Sequence, residues 1–390
     1  MKKLKQILLI FIAFKITVLL AYLVYEHCAL QLLHFEHQAT EDVQFNDIYY
    51  ATNKKHNALL NDKAVVLINT GSIPNDSSFR KKLAILIYKV AENKPKAIGL
   101  DFYFPIPKNP INDSLLKNAI IKNNVVTVVD YKQKHVSIFH SDKKGLMNFP
   151  GKEDETIREY YNYKIINNDT IPSFAAALCN NKSKDSTDYL KYNTENNGFY
   201  NILDEDVKIN PTNFPAVEAS EFIKESNSNN IKEIIYNKIV IIGHLGTGEM
   251  GNQYDVEDKF RVPTDKSLFN RNLTMPGAII HANAVQMMLD KDEMIAIEGW
   301  KYELITSILL FGFLFLFYTI HHKYYLSKLI NILIILGSTI PIILICCVYL
   351  MDLGIYYKIG SLFMQLAFLD EFIDIAEGFK RKFNKTKNHE

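Results

Sequence analysis

The sequence predicts an α/β fold: a largely parallel sheet flanked by helices in one large domain, joined to about four transmembrane helices. Short apolar runs alternate with helix-periodic stretches between residues 64 and 129. Four longer apolar runs lie outside that region, one near the first residue and three after residue 300. The formal net charge is +1 and hydrophobic residues make up 48% of the chain, which argues against a nucleic-acid binder and a disordered chain.

The first part of the domain reads strand, helix, strand, helix, strand. The predicted strands are the apolar runs 64–68 (AVVLI), 97–100 (AIGL) and 125–129 (VVTVV). Residues 77–90 have helical periodicity, and a second helix is expected to begin at Asp113 or Ser114 as its cap. The apolar stripes of these two helices are Leu83, Leu86, Ile87 and Val90, and Leu115, Leu116, Ala119 and Ile120. This order implies parallel strands joined by right-handed crossovers.

The rest of the domain is less regular. Residues 131–164 suggest short β pieces and turns, and residues 238–242 (KIVII) a last buried strand. Three further helices are predicted at 172–179, 215–223 and 276–289, the last of them amphipathic. Cys28 and Cys179 are the two cysteines of this domain, and whether they are paired stays open.

The apolar runs 6–25, 304–320, 329–351 and 355–369 are the predicted transmembrane helices. No small-x-small cleavage site follows the first run, which therefore reads as an uncleaved anchor. Basic residues at 2–5, 321–325 and 380–382 place those segments in the cytoplasm. The expected segments are 1–25 (tail and first helix), 26–299 (extracytoplasmic domain), 300–370 (three helices) and 371–390 (basic tail), in the bilayer of a bacterial inner membrane.

Several stretches of the external domain resemble the second class of CHASE domain, an extracytoplasmic sensor module of bacterial cyclases, histidine kinases and Ser/Thr kinases. Residues 64–68 and 97–104 (AIGLDFYF) resemble its opening strand and G-x-D-x-x-F segment. Residues 145–158 (GLMNFPGKEDETIR) resemble G-x-x-N…D-x-D-G-x-x-R, with Asp154 and Arg158 in place and Thr156 instead of the usual Gly. Residues 214–223 (FPAVEASEFI) resemble its F-P-x-x-S-A-x-D-V-L segment. Residues 238–243 (KIVIIG) and 275–289 (MPGAIIHANAVQMML) resemble K-I-V-L-I-G and M-P-G-V-x-I-H-A-N-A-x-x-x-L-L.

The chain departs from that family in two places. The acidic V-D-I-D-E that ends the family's first strand is Ile68-Asn69-Thr70-Gly71-Ser72 here. Members usually continue into a catalytic signalling domain, whereas about twenty residues follow the last predicted helix. The resemblance therefore implies a sensor whose output comes from an unidentified signalling protein acting in trans.

Polar residues follow the predicted strands, where ligands of parallel α/β sheets bind. Asn69, Asp101, Asp130 and His244 stand at these strand ends, and together they could form a pocket for a small polar ligand or a cation. Asp101 is the strongest single candidate. The alternative is that these side chains cap strands and bond to loop backbone.

His281 and Asn283 lie on the last predicted helix of the domain among small alanines, and Arg158 matches a segment of the resemblance. Tight packing of a buried histidine is the favoured interpretation. A proton or ligand switch is the alternative, because histidine titrates near neutral pH. The three residues are therefore switch or packing candidates.

Other motifs point to no chemistry. Gly243-x-x-Gly246-x-Gly248 lacks the G-x-G-x-x-G spacing and the Lys-Ser/Thr of nucleotide loops, and His34 and His37 lack a second ligand pair for zinc. No G-x-S-x-G, H-E-x-x-H or C-x-x-C motif is present. We expect no enzyme activity, no cofactor, no metal and no nucleic-acid partner.

The predicted function is a membrane-anchored extracytoplasmic sensor that relays an envelope or small-ligand signal to a separate cytoplasmic protein. The alternative is a non-catalytic structural or assembly protein of the cell envelope that uses the α/β domain as a docking surface. A solute carrier is disfavoured because the apolar runs contain few charged residues, Lys15 and Lys358, and so offer no obvious pathway for a solute. A homodimer is the default assembly.

Overall fold

The computed structural model divides into two compact units. We call Tyr50–Ile295 the sheet unit, and Met1–Tyr49 with Ala296–Glu390 the helical unit. The structure describes residues 5, 7–16, 18, 47–52, 63–131, 137–139, 141–150, 156–166, 168–181, 186–192, 194, 199–201, 213–226, 228–246, 259–264, 275–292, 294–324, 327–357, 362, 365–366, 368–369, 372–376 and 378.

Seven parallel strands form the main sheet in the order β4-β3-β2-β10-β1-β9-β8. Their bounds are β1 Val65–Asn69, β2 Ala97–Leu100, β3 Val126–Val129, β4 Lys144–Leu146, β8 Phe199–Asn201, β9 Phe214–Glu218 and β10 Ile239–Gly243. The predicted parallel sheet is thus confirmed, with β1, β2, β3 and β10 at the positions that their apolar runs indicate.

The central strands are buried on both faces, which is why they read as continuous apolar runs. In β1, Val65 and Leu67 face one hydrophobic core, while Val66 and Ile68 face the other. Helices cover both faces and produce three layers. One core is closed by α5 (Phe174–Cys179) and α8 (Gly277–Asp290). The other is closed by α3 (Phe79–Glu92), α4 (Pro110–Lys122), α6 (Ala219–Glu225) and α7 (Asn229–Ile235).

The predicted helix over residues 215–223 is wrong in its first half. Phe214–Glu218 is the strand β9, which pairs in parallel with β1 on one side and β8 on the other, and α6 begins only at Ala219. The strand is fully buried, and Phe214 and Ala216 are both 0% exposed. Tertiary burial between two strands therefore outweighs the helical pattern of the sequence.

Two further local predictions need correction. Neither Asp113 nor Ser114 caps α4, because the Asn109 side chain accepts hydrogen bonds from the N–H groups of residues 111 and 112. Asp113 is instead buried and accepts a 2.6 Å hydrogen bond from Arg80. The helix α8 is not amphipathic, since residues 277–288 are all buried.

Smaller sheets complete the sheet unit. The strands β5 (Glu159–Ile166), β6 (Asp169–Pro172) and β7 (Ser186–Tyr189) form an antiparallel sheet in the order β6-β5-β7. The short strands β11 (Lys259–Phe260) and β12 (Met275–Pro276) pair antiparallel, and β12 leads directly into α8.

The helical unit contains α1 (Ile7–Ile16), α9 (Gly299–Lys323), α10 (Ser327–Leu344), a π-helix (Ile345–Tyr349) and α11 (Leu350–Asp352). The helix α2 (Asp47–Thr52) crosses the boundary between the units, and β13 (Ile295–Ala296) and β14 (Ile355–Tyr356) form a two-stranded sheet. Among the described residues, the segment Gly299–His321 has the length and composition to cross a membrane, with a mean hydropathy of 2.0. Ile7–Ile16 and Lys328–Ser338 are shorter apolar helices.

Aromatic and polar contacts join the helices of this unit. Phe11 packs edge-on against Phe311, with ring centroids 5.4 Å apart. The Lys15 ammonium lies 3.3 Å from a carboxylate oxygen of Glu303 and 3.3 Å from the side-chain oxygen of Gln365. The lysine that the sequence places within an apolar run is thus satisfied by polar partners inside its own unit.

Candidate functional site

The carboxyl ends of the central strands meet at one edge of the main sheet. Asn69 of β1 lies opposite Gly243 of β10 and opposite Glu218 of β9 in the strand register. Asp101 follows β2, and its backbone N–H donates to the carbonyl of Ile242 at 2.9 Å. The edge therefore gathers polar residues from four adjacent strands.

Asn69 is the centre of this edge and is 0% exposed. Its Nδ2 donates to Oε1 of Glu218 at 2.7 Å and to the carbonyl of Gly246 at 3.1 Å. Its Oδ1 accepts from the backbone N–H groups of Gly71 at 3.0 Å and Leu245 at 2.9 Å. Four hydrogen bonds thus make Asn69 the link between the loops after β1 and β10 and the end of β9.

Two glycines permit this close approach. A Cβ on Gly71 would lie 1.7 Å from the carbonyl oxygen of Gly246, and a Cβ on Gly243 would lie 2.7 Å from the Cβ of Ala278. The Gly243 position also lies beside Asp101, whose Cβ would be 3.5 Å from the same added atom. Absent side chains therefore allow the strand ends to pack against each other and against α8.

His244 and Asp101 are both half-buried at this edge. His244 directly follows β10, while Thr70 directly follows β1 and bonds back to Gly243. The Thr70 N–H and hydroxyl donate to the Gly243 carbonyl at 3.0 Å and 3.2 Å. The strand register thus places Asn69, Asp101 and His244 at the carboxyl ends of three adjacent strands.

Asp130 lies further along the same edge, at the end of β3, which is the neighbour of β2. One of its carboxylate oxygens accepts a 2.8 Å hydrogen bond from Asn148, whose own oxygen accepts from the Tyr131 N–H at 3.1 Å. The Tyr131 ring also faces the ammonium of Lys164, with 3.7 Å between the nitrogen and the ring centroid. Asp130 therefore belongs to a local network of its own at the side of the edge.

His281 and Asn283 lie in the buried helix α8, not at the strand ends. The His281 ring stacks on Phe149 at 4.8 Å and meets Phe174 edge-on at 5.1 Å. Burial lowers the pKa of His281 to about 3, so the ring is neutral at physiological pH. Asn283 donates to the hydroxyl of Thr194 at 3.1 Å and to the carbonyl of Ile279 at 3.0 Å.

Arg158 is half-buried and immediately precedes β5. Its carbonyl accepts a 2.7 Å hydrogen bond from the N–H of Leu190, and its guanidinium lies 3.5 Å from the carbonyl of Thr156. Asp154, the other residue of that sequence segment, is outside the described residues. Arg158 therefore stands beside the antiparallel sheet rather than among the strand ends of the central row.

Glu218 is the site residue that sequence reasoning missed. It ends β9 and is 8% exposed, and its Oε2 atom is buried with no hydrogen-bond partner among the described residues. Burial raises the pKa of Glu218, hydrogen bonds from Asn69 and Ser72 oppose that change, and the negative charge of Glu221 adds to it. The residue was hidden because the sequence predicts a helix where β9 lies.

The described residues offer no cluster of three or more histidine, cysteine or acidic side chains that could hold a metal ion. Cys179 is a free thiol, and burial raises its pKa to about 12. Cys28, His34, His37 and the glycine loop beyond Gly246 lie outside the part of the chain that is described. The described edge thus offers hydrogen-bonding and acidic groups as its chemistry.

Comparison with known proteins identifies the family of the chain. The family model described as the CHASE2 domain matches residues 16–317. No curated protein and no solved structure gives a significant match. Because the CHASE2 match covers most of its length, the chain belongs to the CHASE2 family of extracellular sensory domains.

Proposed function

We propose that this protein is a membrane-anchored sensor that binds a small polar ligand outside the cell and relays the signal to a separate cytoplasmic protein. Membership of a sensory family supports the receptor role. The observation that carries the proposal is the polar row across the carboxyl ends of β2, β10, β1 and β9 in an otherwise apolar sheet. Parallel α/β sheets bind their ligands at this edge.

We assign different parts in this site to the predicted residues. Asp101 and His244, both half-buried, contact the ligand, and Asp130 extends the same edge. Asn69 acts through its four hydrogen bonds, because any displacement of Glu218 or Gly246 by the ligand breaks at least one of them. His281, Asn283 and Arg158 define the packing that changes between the two states of the domain.

Membrane attachment is supported by the apolar segment Gly299–His321 and by the surface of the helical unit. Large apolar side chains such as Leu309, Phe315 and Leu333 are 40%, 51% and 59% exposed. Such side chains are stable in contact with lipid. We propose four transmembrane helices within 1–25 and 300–370, an extracytoplasmic domain over 26–299, a cytoplasmic tail over 371–390, and residence in a bacterial inner membrane.

We propose that ligand binding is relayed by a shift of the sheet unit between two states. A ligand shifts the domain between two packings only by its differential affinity for them. Residues 291–298 join the buried helix α8 to the apolar helix α9, and this direct connection carries the shift along the chain. On the cytoplasmic side, the Asp374 carboxylate lies 2.7 Å from the Lys328 ammonium and 3.6 Å from His321 Nδ1. We propose this cluster as part of the docking surface for the output protein, in a homodimeric receptor.

Thermal unfolding of the full chain in lipid nanodiscs, with a panel of small polar compounds, tests the proposal. We expect at least one compound to raise Tm, because a ligand of the folded state stabilises it by mass action. Asp101→Asn should abolish that rise. Asp169→Asn, at an exposed carboxylate on β6, is the matched control and should keep it.

Two results would contradict this function. A reporter fused near residue 200 that faced the cytoplasm would place the sheet unit on the wrong side of the membrane. Stoichiometric purification with an envelope complex, together with no response to any small compound, would support the structural and assembly role instead.

A further inference from the structure

Two glutamates at the end of β9 carry oxygen atoms that the described residues leave unsatisfied. Glu218 ends the strand, and Glu221 lies three residues later in the first turn of α6. The Oε2 atom of each is buried and has no hydrogen-bond partner among the described residues. We call these two residues the glutamate pair. A buried acceptor without a partner costs roughly 1–3 kcal/mol, more if charged, so two together require an explanation.

Hydrogen bonds from Asn69 and Ser72 hold the Glu218 carboxylate at the sheet edge. Asn69 donates to Oε1 of Glu218 at 2.7 Å, which fixes that carboxylate at the sheet edge. Asn69 is itself fully occupied by the loops after β1 and β10, so it cannot turn to serve Oε2. Although Ser72 also acts on this carboxylate, the Oε2 atom of Glu218 is buried without a well-aligned donor among the described residues.

The negative charges of the glutamate pair also favour a positively charged partner. Glu221 is the main charged group acting on Glu218, and its effect is to raise the pKa of Glu218 in the same direction as burial does. A carboxylate whose negative charge is disfavoured by burial and by a neighbouring carboxylate is stabilised by a positive charge placed beside it. The missing partner is thus a donor that also carries positive charge.

We propose that the glutamate pair binds the ammonium group of a small organic amine. The inference rests on the proposed function, since it names the chemical class of ligand for the same sheet edge. A primary ammonium has three N–H donors, and Oε2 of Glu218 and Oε2 of Glu221 accept two of them in charge-assisted hydrogen bonds. Asp101 and His244, on the neighbouring strands, contact the remainder of the molecule.

An ammonium fits this pair better than a metal ion. Ca²⁺ takes six to eight oxygen ligands and Mg²⁺ takes six in near-octahedral geometry. The described residues contain no cluster of three or more metal-binding side chains. Two carboxylates match the hydrogen-bonding capacity of one ammonium and fall short of either metal.

Because the glutamate pair is buried, binding of an amine requires a local change in structure. Both Oε2 atoms are sealed from solvent, so an amine reaches them only when the first turn of α6 moves relative to the end of β9. Movement of Glu218 pulls on Asn69 and through it on the loops after β1 and β10. The amine therefore has different affinities for the closed and open arrangements, as a sensor requires.

Thermal unfolding of the full chain in nanodiscs at pH 7.5 tests this assignment, with putrescine as the probe and 1,4-butanediol as its uncharged counterpart. We expect putrescine to raise Tm and butanediol to have no effect. Glu218→Gln and Glu221→Gln should each weaken the apparent putrescine affinity about tenfold or more, since each removes a charge-assisted hydrogen bond. Glu225→Gln, at an exposed residue of α6, is the matched control and should bind like the wild type.

Far-UV circular dichroism establishes that each variant is folded, and if Glu218→Gln does not fold, Glu221→Gln decides the result. The assignment is overturned if putrescine leaves Tm unchanged, if both glutamine variants bind it like the wild type, or if Ca²⁺ alone reproduces the shift. A stability that follows pH and ignores putrescine would show that the pair takes up only a proton. If another compound raises Tm through Asp101 in any of these cases, the sensor function stands and only the amine assignment fails.

Discussion

In the sheet unit, the central strands bury apolar side chains on both faces and place polar side chains at their carboxyl ends. In the helical unit, by contrast, many large apolar side chains are exposed on the surface. Leu67 and Ile241 are 0% exposed, while Phe315 and Leu333 are 51% and 59% exposed. Polar groups are buried inside the helical unit, where the Thr306 and Tyr357 hydroxyl oxygens are 2.7 Å apart.

This difference is the one expected if the sheet unit folds in water and the helical unit in lipid, as we propose. Water drives apolar side chains inward in the sheet unit. In lipid that force between helices is absent, and packing and interhelical hydrogen bonds take its place. Matched substitutions in the two units should therefore have different effects.

The largest contrast concerns two phenylalanines. Phe174 is 0% exposed and lies over Gly99 and Gly145, so Phe174→Ala should destabilise the protein by about 3–5 kcal/mol through the cavity that it leaves. Phe315→Ala, on the exposed face of α9, should change stability by less than about 1 kcal/mol. Denaturant unfolding in detergent measures both, and equal losses would contradict the comparison.

Two glycines give the next contrast. A Cβ on Gly71 would meet the backbone of Gly246, so Gly71→Ala should cost about 3 kcal/mol, the upper end for overpacking, because a backbone atom cannot yield as a side chain does. Outside its own helix backbone, no atom of the described residues lies within 4 Å of a Cβ added at Gly312 in α9, and Gly312→Ala should stabilise the helix by up to about 1 kcal/mol. Thermal scans of the two variants should show shifts of opposite sign.

The buried imidazole of the sheet unit should make the protein sensitive to acid. The pKa of His281 is lowered to about 3 by burial, so the unfolded state binds this proton first as the pH falls below about 6.5. The contribution to stability is complete above pH 6.5 and is lost towards pH 3, by about 1.4 kcal/mol per pH unit, or about 2 kcal/mol at pH 5. His281→Phe should flatten the stability profile between pH 7 and pH 5, and an unchanged slope would show that another group causes it.

The smallest expected effect compares two lysines. Burial lowers the pKa of Lys63 to about 8, and its ammonium lies 4.8 Å from the Phe214 ring centroid. This lysine therefore destabilises the fold below pH 8, and the cost is relieved as the pH rises towards 10.5. Because Lys63→Met also removes the contact between the ammonium and the Phe214 ring, it should add only about 1 kcal/mol at pH 7. Lys15 has Glu303 as a partner, and Lys15→Met should bring no such gain. Chemical denaturation at pH 7 and pH 10 tests both expectations.

The sequence was sufficient for the parts of the fold in which local pattern and burial agree. The strands β1, β2, β3 and β10 are mostly apolar because helices cover both faces of the sheet, and the stripe of α3 ending at Val90 is buried as expected. The same strands predict which residues stand at the sheet edge, because parallel strands share one carboxyl edge.

The prediction from the sequence was wrong for β9, where it gave a helix, and the reason is physical. Its sequence contains Pro215 and ends in Glu218, and neither is typical of a central strand. Pairing with β1 and β8 makes it one, and the pairing with β1 joins residues 149 positions apart, Asn69 and Glu218. A contact between residues so far apart in the sequence cannot be deduced from local periodicity, which is why Glu218 was missed as a residue of the sheet edge.

The single side-chain oxygen of Asn69 that receives the N–H groups of Gly71 and Leu245 has a consequence for motion. Neither amide can be released without disturbing the acceptor on which the other depends. We therefore expect their amide protons to exchange with deuterium at a common rate, although 174 positions of sequence separate them (245 less 71). Two distant loops would then open as one body, and one observable would report on both.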